Sequence, residues 1–337
     1  MTNTIKPSLD TLPIEIIYRI FNHLDDFTMF CTMQNVCQRI NTIMNKYYRY
    51  RTLTTLQLCN KKLSSQEIER LANALKQNKK LKTLDIGLNN IDDQGLDYLA
   101  NALQQNHTLV NLSVHLNEFG SQGIASLAKS LQHNQTLTRL NLHYNDIGDE
   151  GAKHLANALQ HNKTLQKLNL QRDHISNQGA YHLANALQKN QTLTTLYIAE
   201  NQIGDEGAKY LADALQKNQT LTTLYIAQNH ITNQGAKYFA NTLQKNQTFT
   251  TLSLKRNQIG DEGAYDLANA LNQNKTLTTL NLKWNQITDQ GAIYLAEALC
   301  QNTTLIFLDI RFNNLSDDGK DQFLNIQNYN PRLRILL

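Results

Sequence analysis

Proline is almost missing from the body of this chain. Only three of its 337 residues are proline, and Pro7, Pro13 and Pro331 all lie at the two ends, so the stretch from Arg51 to Asn330 has none. A chain without such backbone breaks can hold one structural period over its whole length. Cysteine is also sparse: Cys31, Cys37, Cys59 and Cys300 form no C-x-x-C pair, which argues against a disulfide framework or a zinc knuckle and points to reduced, packed thiols. Neither sign of charge dominates, since 32 Lys and Arg stand against 28 Asp and Glu. The net +4 is too small to mark a binder of nucleic acid or of a membrane surface. No run approaches the roughly 20 apolar residues that span a bilayer, and Met1–Asp10 lacks the basic and apolar regions of a secretory signal. These absences predict a chain of the cytosol or nucleus, with no membrane span, cofactor or metal. Its 41 % hydrophobic content is ample for a folded core.

What is present is a period. Leu81, Leu109, Leu137, Leu165, Leu193, Leu221, Phe249, Leu277 and Leu305 recur every 28 residues without a slip. Aligned as L-x-x-L-x-L-x-x-N-x-I, the blocks place Asn89, Asn117, Asn145, Asn201, Asn229, Asn257, Asn285 and Asn313 in one column, with Lys61 and Asp173 as its exceptions. Ten repeats run from Leu53 to about Arg332, and Leu333 opens an abortive eleventh. The turn after the column alternates, IGDEG at 147, 203 and 259 against ISNQG, ITNQG and ITDQG at 175, 231 and 287.

Within a repeat, Leu196-Tyr197-Ile198 alternates as a half-buried strand does. Four residues after the Asn column stand Ser65, Asp93, Ser121, Asp149, Asn177, Asp205, Asn233, Asp261, Asp289 and Asp317, which reads as a helix N-cap in every repeat. Ala208, Leu211, Ala212 and Leu215 then follow at helical spacing. A Gly column from Gly95 to Gly319 predicts close helix-to-sheet packing, and the Asn of Q-x-N, such as Asn218, predicts a left-handed C-terminal cap. The N-Q-T and N-K-T tripeptides at Asn134, Asn162, Asn190 and other repeats match the glycosylation sequon, but their regular spacing marks them as a turn. The Asn column predicts a buried amide ladder, because an amide offers both donors and an acceptor to turn backbone.

Over about five-sixths of the chain these blocks, as in residues 192–219, resemble the leucine-rich repeats of the ribonuclease-inhibitor type. The resemblance implies an α/β fold: a right-handed horseshoe solenoid over residues 51–337, parallel strands inside and helices outside. Stacking then points the non-leucine strand positions along one concave wall, about 45 Å long for ten strands. Arg139, Tyr144, Arg172, Tyr197, Tyr225, Lys255, Arg256, Lys283, Trp284, Arg311 and Phe312 are the candidate target-binding residues there, Tyr, Trp and Arg being the common interface anchors. Seven cations of this wall face Asp85, Glu200 and Asp309, a surplus of four that calls for a protein target with an acidic patch. His115, His143 and Cys59 share the wall, but the cysteine reads as four or five strands from the histidines, too far for proton transfer.

Residues 1–50 break the period. Leu12-Pro13, Glu15-Ile16, Ile20-Phe21, Leu24 and Val36-Cys37-Gln38-Arg39 resemble the F-box pattern LP-x-E-[IL]…I-[LF]-x-x-L…VC-x-R, although Thr28-Met29 replaces the usual Asp-Leu and Ile40 the usual Trp. The resemblance implies a small helical domain that docks on the Skp-type adaptor of a cullin-RING ubiquitin ligase, with Leu12, Pro13, Ile16, Ile20, Phe21 and Leu24 facing the adaptor. It makes the chain a non-catalytic substrate receptor, monomeric until it enters the complex. Two alternatives stand beside it: an inhibitor or scaffold resembling ribonuclease inhibitor, with the helices only capping the solenoid, or a bacterial effector using the same F-box in a host cytosol.

Overall fold

The computed structural model describes residues 12–33, 36–324, 326 and 329–337. The first eleven residues of the predicted F-box-like segment lie outside the described residues.

Four helices come first, α1 (Ile14–His23), α2 (Asp26–Cys31), α3 (Gln38–Lys46) and α4 (Tyr48–Arg51). After them strand and helix alternate. The strands β1–β11 are Thr55–Gln57, Thr83–Asp85, Asn111–Ser113, Arg139–Asn141, Lys167–Asn169, Thr195–Tyr197, Thr223–Tyr225, Thr251–Ser253, Thr279–Asn281, Phe307–Asp309 and Arg334–Leu336. The helices α5–α14 are Ser65–Gln77, Asp93–Gln105, Ser121–Leu131, Gly148–Leu159, Asn177–Leu187, Asp205–Leu215, Asn233–Lys245, Asp261–Gln273, Asp289–Gln301 and Asp317–Asp321. All strands lie in one parallel sheet in chain order. The abortive eleventh repeat thus supplies a strand, with Phe307 opposite Arg334, so the last step is one residue short of the period.

The leucine columns form the core. In one repeat Leu193, Leu196, Ile198, Ile203, Ala208, Leu211, Ala212 and Leu215 are all fully buried. Each coil offers its apolar stripe to the coils on both sides, so burial is completed only by stacking. The apolar interior of α1–α4, including Ile17, Phe21, Phe30, Ile40 and Met44, is continuous with that of the first repeats. Helix α2 packs on α5, and burial there pushes the Cys31 thiol up to about 12, well out of reach of ionisation.

Two polar ladders run through this core. The first is the expected one: Asn89 Oδ1 accepts from Lys61 N–H and Leu63 N–H of the preceding repeat, while its Nδ2 donates to the carbonyls of Leu58, Ile86 and Gly87. The second replaces a prediction. The Asn of Q-x-N is not a left-handed cap: Asn78, Asn106, Asn246, Asn274 and Asn302 have extended backbone, such as φ −72 and ψ 131 at Asn78. Asn218, just beyond its helix, is likewise a buried ladder member, its Oδ1 accepting from Thr220 and Leu221 N–H and its Nδ2 donating to Leu187 and Asn190 carbonyls one repeat back. Ten asparagines from Asn78 to Asn330 make this column, all buried. Those in sequons, Asn134, Asn162 and Asn190 among them, are at most 4 % exposed.

The helix starts also differ from expectation, by one residue and by one repeat. The N-cap is the preceding residue, for example Ser176, Gly204, Thr232, Gly260 or Thr288. The residues predicted as caps are the first helical ones, except Asp149, which follows Gly148, and Asp93, Asp149, Asn177, Asp205, Asn233, Asp261 and Asp289 accept from the start of the next helix instead. Asn177 Oδ1 accepts from Gly204 and Gly207 N–H at 2.7 and 3.0 Å. Asp261 Oδ1 accepts from Thr288 and Gly291 N–H, and its Oδ2 takes the Thr288 hydroxyl at 2.7 Å. This explains the alternating turns. A carboxylate can accept a hydroxyl from the next coil, so IGDEG precedes Ser or Thr, whereas Asn177 and Asn233 precede Gly204 and Gly260. It also corrects the reading of the Gly column. A Cβ on Gly291 would lie 2.6 Å from both Asp261 Oδ1 and Ile287 Cγ2, so glycine admits the neighbour's capping group rather than the sheet.

Asp173 is the one acid in the first ladder. Its Oδ1 accepts from Asn145 N–H, but its Oδ2 is buried with no hydrogen-bond partner. Burial pushes its pKa well above the usual carboxylate range, against the Asn145 hydrogen bond and helped by Asp146. The turn beside it is rearranged: Gly148 adopts φ +61 and donates to the Asp173 carbonyl. Because the folded pKa is raised, this group's contribution is intact below the unfolded value of about 4 and is lost as pH rises through the folded one. Asp173→Asn is expected to raise stability by about 1 kcal/mol at pH 7, read as a higher urea midpoint, with the gain shrinking toward pH 4. A gain independent of pH would place its origin elsewhere.

Candidate binding face

Each coil presents four side chains on the wall opposite the helices. In the eighth repeat these are Thr251 and Ser253 of β8, then Lys255 and Arg256 of the turn. The residue just before the ladder amide has a left-handed backbone: Tyr144, Arg172, Glu200, Gln228, Arg256, Trp284 and Phe312 have φ between +50 and +62. Such a conformation costs of order 1 kcal/mol or more for a residue with a side chain, yet the positions carry large side chains instead of glycine. The hydrogen bonds explain why the turn persists. Tyr144, Arg256 and Trp284 N–H donate to the Gln171, Lys283 and Arg311 carbonyls of the next coil at 2.8–3.0 Å.

Equal register and equal φ put these side chains in one rim column, where they meet as neighbours. The Arg172 guanidinium lies 4.2 Å from the Tyr144 ring centroid and hydrogen-bonds its hydroxyl. Arg172 also reaches Glu200 at 4.0 Å. Arg256 donates to Gln228 at 3.1 Å and sits 5.4 Å over Trp284, whose ring stacks on Phe312 at 4.4 Å and 4°. Lys283 lies 4.8 Å over Phe312. Trp284 and Phe312 keep exposures of 42 % and 57 %, so the stack orders the rings without burying them. Tyr197 and Tyr225 form a second stack on adjacent strands, 4.6 Å apart and parallel to within 1°.

The surplus of four stands, but pairing confines it to certain places. Arg311 is held by Asp309 through Nε and Nη2 at 3.0 and 2.8 Å. Burial works against the Asp309 carboxylate, but those bonds and the Lys283 charge outweigh it and keep its pKa below the usual value. Arg139, Lys167, Lys255, Arg256 and Lys283 have no carboxylate within ion-pairing distance among the described residues. The surplus is therefore two separate pads, Arg139 with Lys167 on neighbouring strands and Lys255, Arg256 and Lys283 farther along, with the tyrosine stack between them.

Sequence reasoning placed the two histidines on the wall but missed their stacking. His115 and His143 stack at 4.7 Å and 10°, with His115 lying where a Cβ on Gly87 would stand. Gly87 was the available signal, since only a missing side chain leaves room for the ring. Ser113 Oγ and Asp85 Oδ1 both approach the same nitrogen, His115 Nδ1, at 2.8 and 3.6 Å, so the group is not a relay from acid through imidazole to hydroxyl. Burial, and then the His115 charge, lower the pKa of His143. Cys59 is two strands from His115, nearer than expected, but the roughly 10 Å this implies still precludes direct proton transfer.

At the other end, α1 divides its apolar residues. Ile17 and Phe21 are fully buried, with Phe21 edge-on to Tyr47 at 5.3 Å. Phe21 is thus a core residue and is corrected from the adaptor-facing set, because it stands one turn after Ile17 on the inner stripe. Pro13 and Ile16 are exposed, and Leu12, Ile20 and Leu24 are half-buried. Arg39 donates to the Leu12 carbonyl at 2.7 Å, tying the start of the helix to α3. Among the described residues no helix is long and apolar enough to cross a membrane.

The family model for leucine-rich repeats matches seven segments, residues 77–100, 133–156, 189–212, 217–240, 245–268, 273–296 and 301–319. No curated protein matches. Similar solved structures include the actin-binding site 2 of leiomodin-1, 18 % identical over 54 % of this chain and 87 % of that one with a TM-score of 0.35. The tropomodulin C-terminal domain of Caenorhabditis elegans is 19 % identical over 44 % and 90 %, TM-score 0.37. An internalin of Listeria monocytogenes is 19 % identical over 98 % of both chains, TM-score 0.46. With its single parallel sheet, its unbroken 28-residue period and the seven matched segments, the chain is a solenoid of leucine-rich repeats.

Proposed function

We propose that the chain is a non-catalytic receptor that holds a protein target on the concave wall while α1–α4 dock a Skp-type adaptor of a cullin-RING ubiquitin ligase. The repeats themselves suit a protein-binding scaffold. The observation that carries the finer reading is the split of α1. Ile17 and Phe21 satisfy the core, yet Ile14 and Ile16 remain 38 % exposed and Ile20 shares the outer stripe with Pro13 and Ile16. An apolar stripe not needed by its own core is what a docking partner would cover. The mechanism is proximity. A target held on the wall and a ligase held by the front helices raise the effective concentration of target lysines near the transfer enzyme.

The continuous core of α1–α4 and the first repeats also supports the alternative, a scaffold whose helices only cap the solenoid. Ile16→Asp with Ile20→Asp separates the two. The receptor reading expects purified Skp-type adaptor to bind the parent chain and to lose at least about 100-fold in affinity with the double variant, the scale of two apolar anchors lost, while the melting temperature changes little. A folded parent chain that binds no adaptor leaves the scaffold reading.

A further inference from the structure

Along one strand position of the wall the side chains are Asn169, Tyr197, Tyr225, Ser253 and Asn281, in register from strand to strand. The spacing of neighbouring strands, about 4.8 Å, matches the separation of stacked rings, which is why Tyr197 and Tyr225 lie face to face at 4.6 Å. The next place in that stack belongs to Ser253. Its side chain is too small to cover the outer face of Tyr225, and a depression of about 300 Å³ opens there. Its lining includes Tyr225, Ser253, Lys255, Arg256 and Asn281, with Ala199 and Ala227 where other repeats carry larger side chains. Lys255 and Lys283 have no carboxylate partner among the described residues, and Arg256 donates to the neutral amide of Gln228.

We propose that this depression is an anchor pocket for an aromatic side chain in an acidic, extended peptide segment. The incoming ring becomes the third member of the tyrosine stack, lying on Tyr225 above Ser253, and carboxylates flanking it meet Lys255, Arg256 and Lys283. The proposal rests on the reading of the wall as the target-binding surface and adds which residue types that surface selects. Stacking and cations together also suit single-stranded nucleic acid, but charge favours the peptide. Glu200 lines the pocket on one side, so an evenly charged phosphodiester would meet a carboxylate there, whereas a peptide can place its acids only where the cations are.

The test uses the full chain and three fluorescent probes at low salt: a random copolymer of glutamate and tyrosine, polyglutamate of the same length, and oligothymidylate. The copolymer is expected to bind about fivefold or more tightly than polyglutamate, in line with one offset aromatic stack. Ser253→Tyr fills the third place with the chain's own ring and should reduce the copolymer to the polyglutamate level, and Tyr225→Leu should do the same by removing the platform. Both variants should keep polyglutamate binding, and Lys255→Glu with Lys283→Glu should weaken both polymers. Circular dichroism verifies folding, and either folded variant suffices. Equal binding of the two polymers, an undiminished preference in a folded variant, tighter binding of oligothymidylate, or no binding of any probe each overturns the pocket. The wider reading is judged separately by capture of the target: if Trp284→Ala with Arg256→Glu still abolishes capture after the pocket has failed, the wall remains the target site.

Discussion

Asn201→Ala is expected to lower folding stability by about 4 kcal/mol and to split the urea transition in two. Asn201 Oδ1 accepts from Asp173 and Ile175 N–H at 3.0 Å, and its Nδ2 donates to the Leu170, Ile198 and Ala199 carbonyls at 2.8–3.1 Å. Alanine leaves five backbone groups without these bonds at a site only 6 % exposed. A buried polar group without its partner costs about 1–3 kcal/mol, and water entering the vacated space recovers part of the sum. The loss is local, but a solenoid is stabilised by contacts between nearest neighbours, so weakening one joint uncouples the coils on either side. Trp284, the only tryptophan, reports on the carboxyl-terminal coils. Its fluorescence should unfold near the parent midpoint while circular dichroism becomes biphasic. One cooperative transition with an unchanged midpoint would mean that the ladder contributes little.

The second large effect concerns binding. Trp284→Ala with Arg256→Glu is expected to weaken target capture by about 100-fold or more, the loss of one aromatic anchor plus a reversed charge, with the unfolding free energy in urea within about 0.5 kcal/mol of the parent. Both side chains are exposed and held by each other and by Phe312, not by the core. Titration calorimetry against a captured target measures the effect. Affinity within a few fold of the parent would remove this cluster from the interface.

The repeat architecture was legible because it rests on a regular spacing of apolar residues, and burial of Leu193, Leu196, Leu211 and Leu215 follows from period alone. The polar partners were not legible. Asp261 reads locally as the cap of its own helix, but stacking brings Thr288 and Gly291 of the next coil to its carboxylate. Asn218 likewise looks like a helix end, and only the preceding coil's Leu187 and Asn190 carbonyls make it a ladder member. The same limit affected the wall. Its members could be named from their column, while the pairing of Arg311 with Asp309, the Trp284–Phe312 stack and the His115–His143 stack depend on side-chain directions. In the first helix the F-box resemblance transferred Phe21 as a contact, whereas its spacing from Ile17 places it on the inner stripe.

Amide hydrogen exchange of the chain alone and with its captured target tests the central claim most directly. The account predicts new protection at residues 195–200, 223–228, 251–256, 279–284 and 307–312, the strands and turns of one wall, with the outward faces of α9–α13 unchanged. Protection concentrated on those helices, with the strand and turn amides exchanging as before, would contradict it.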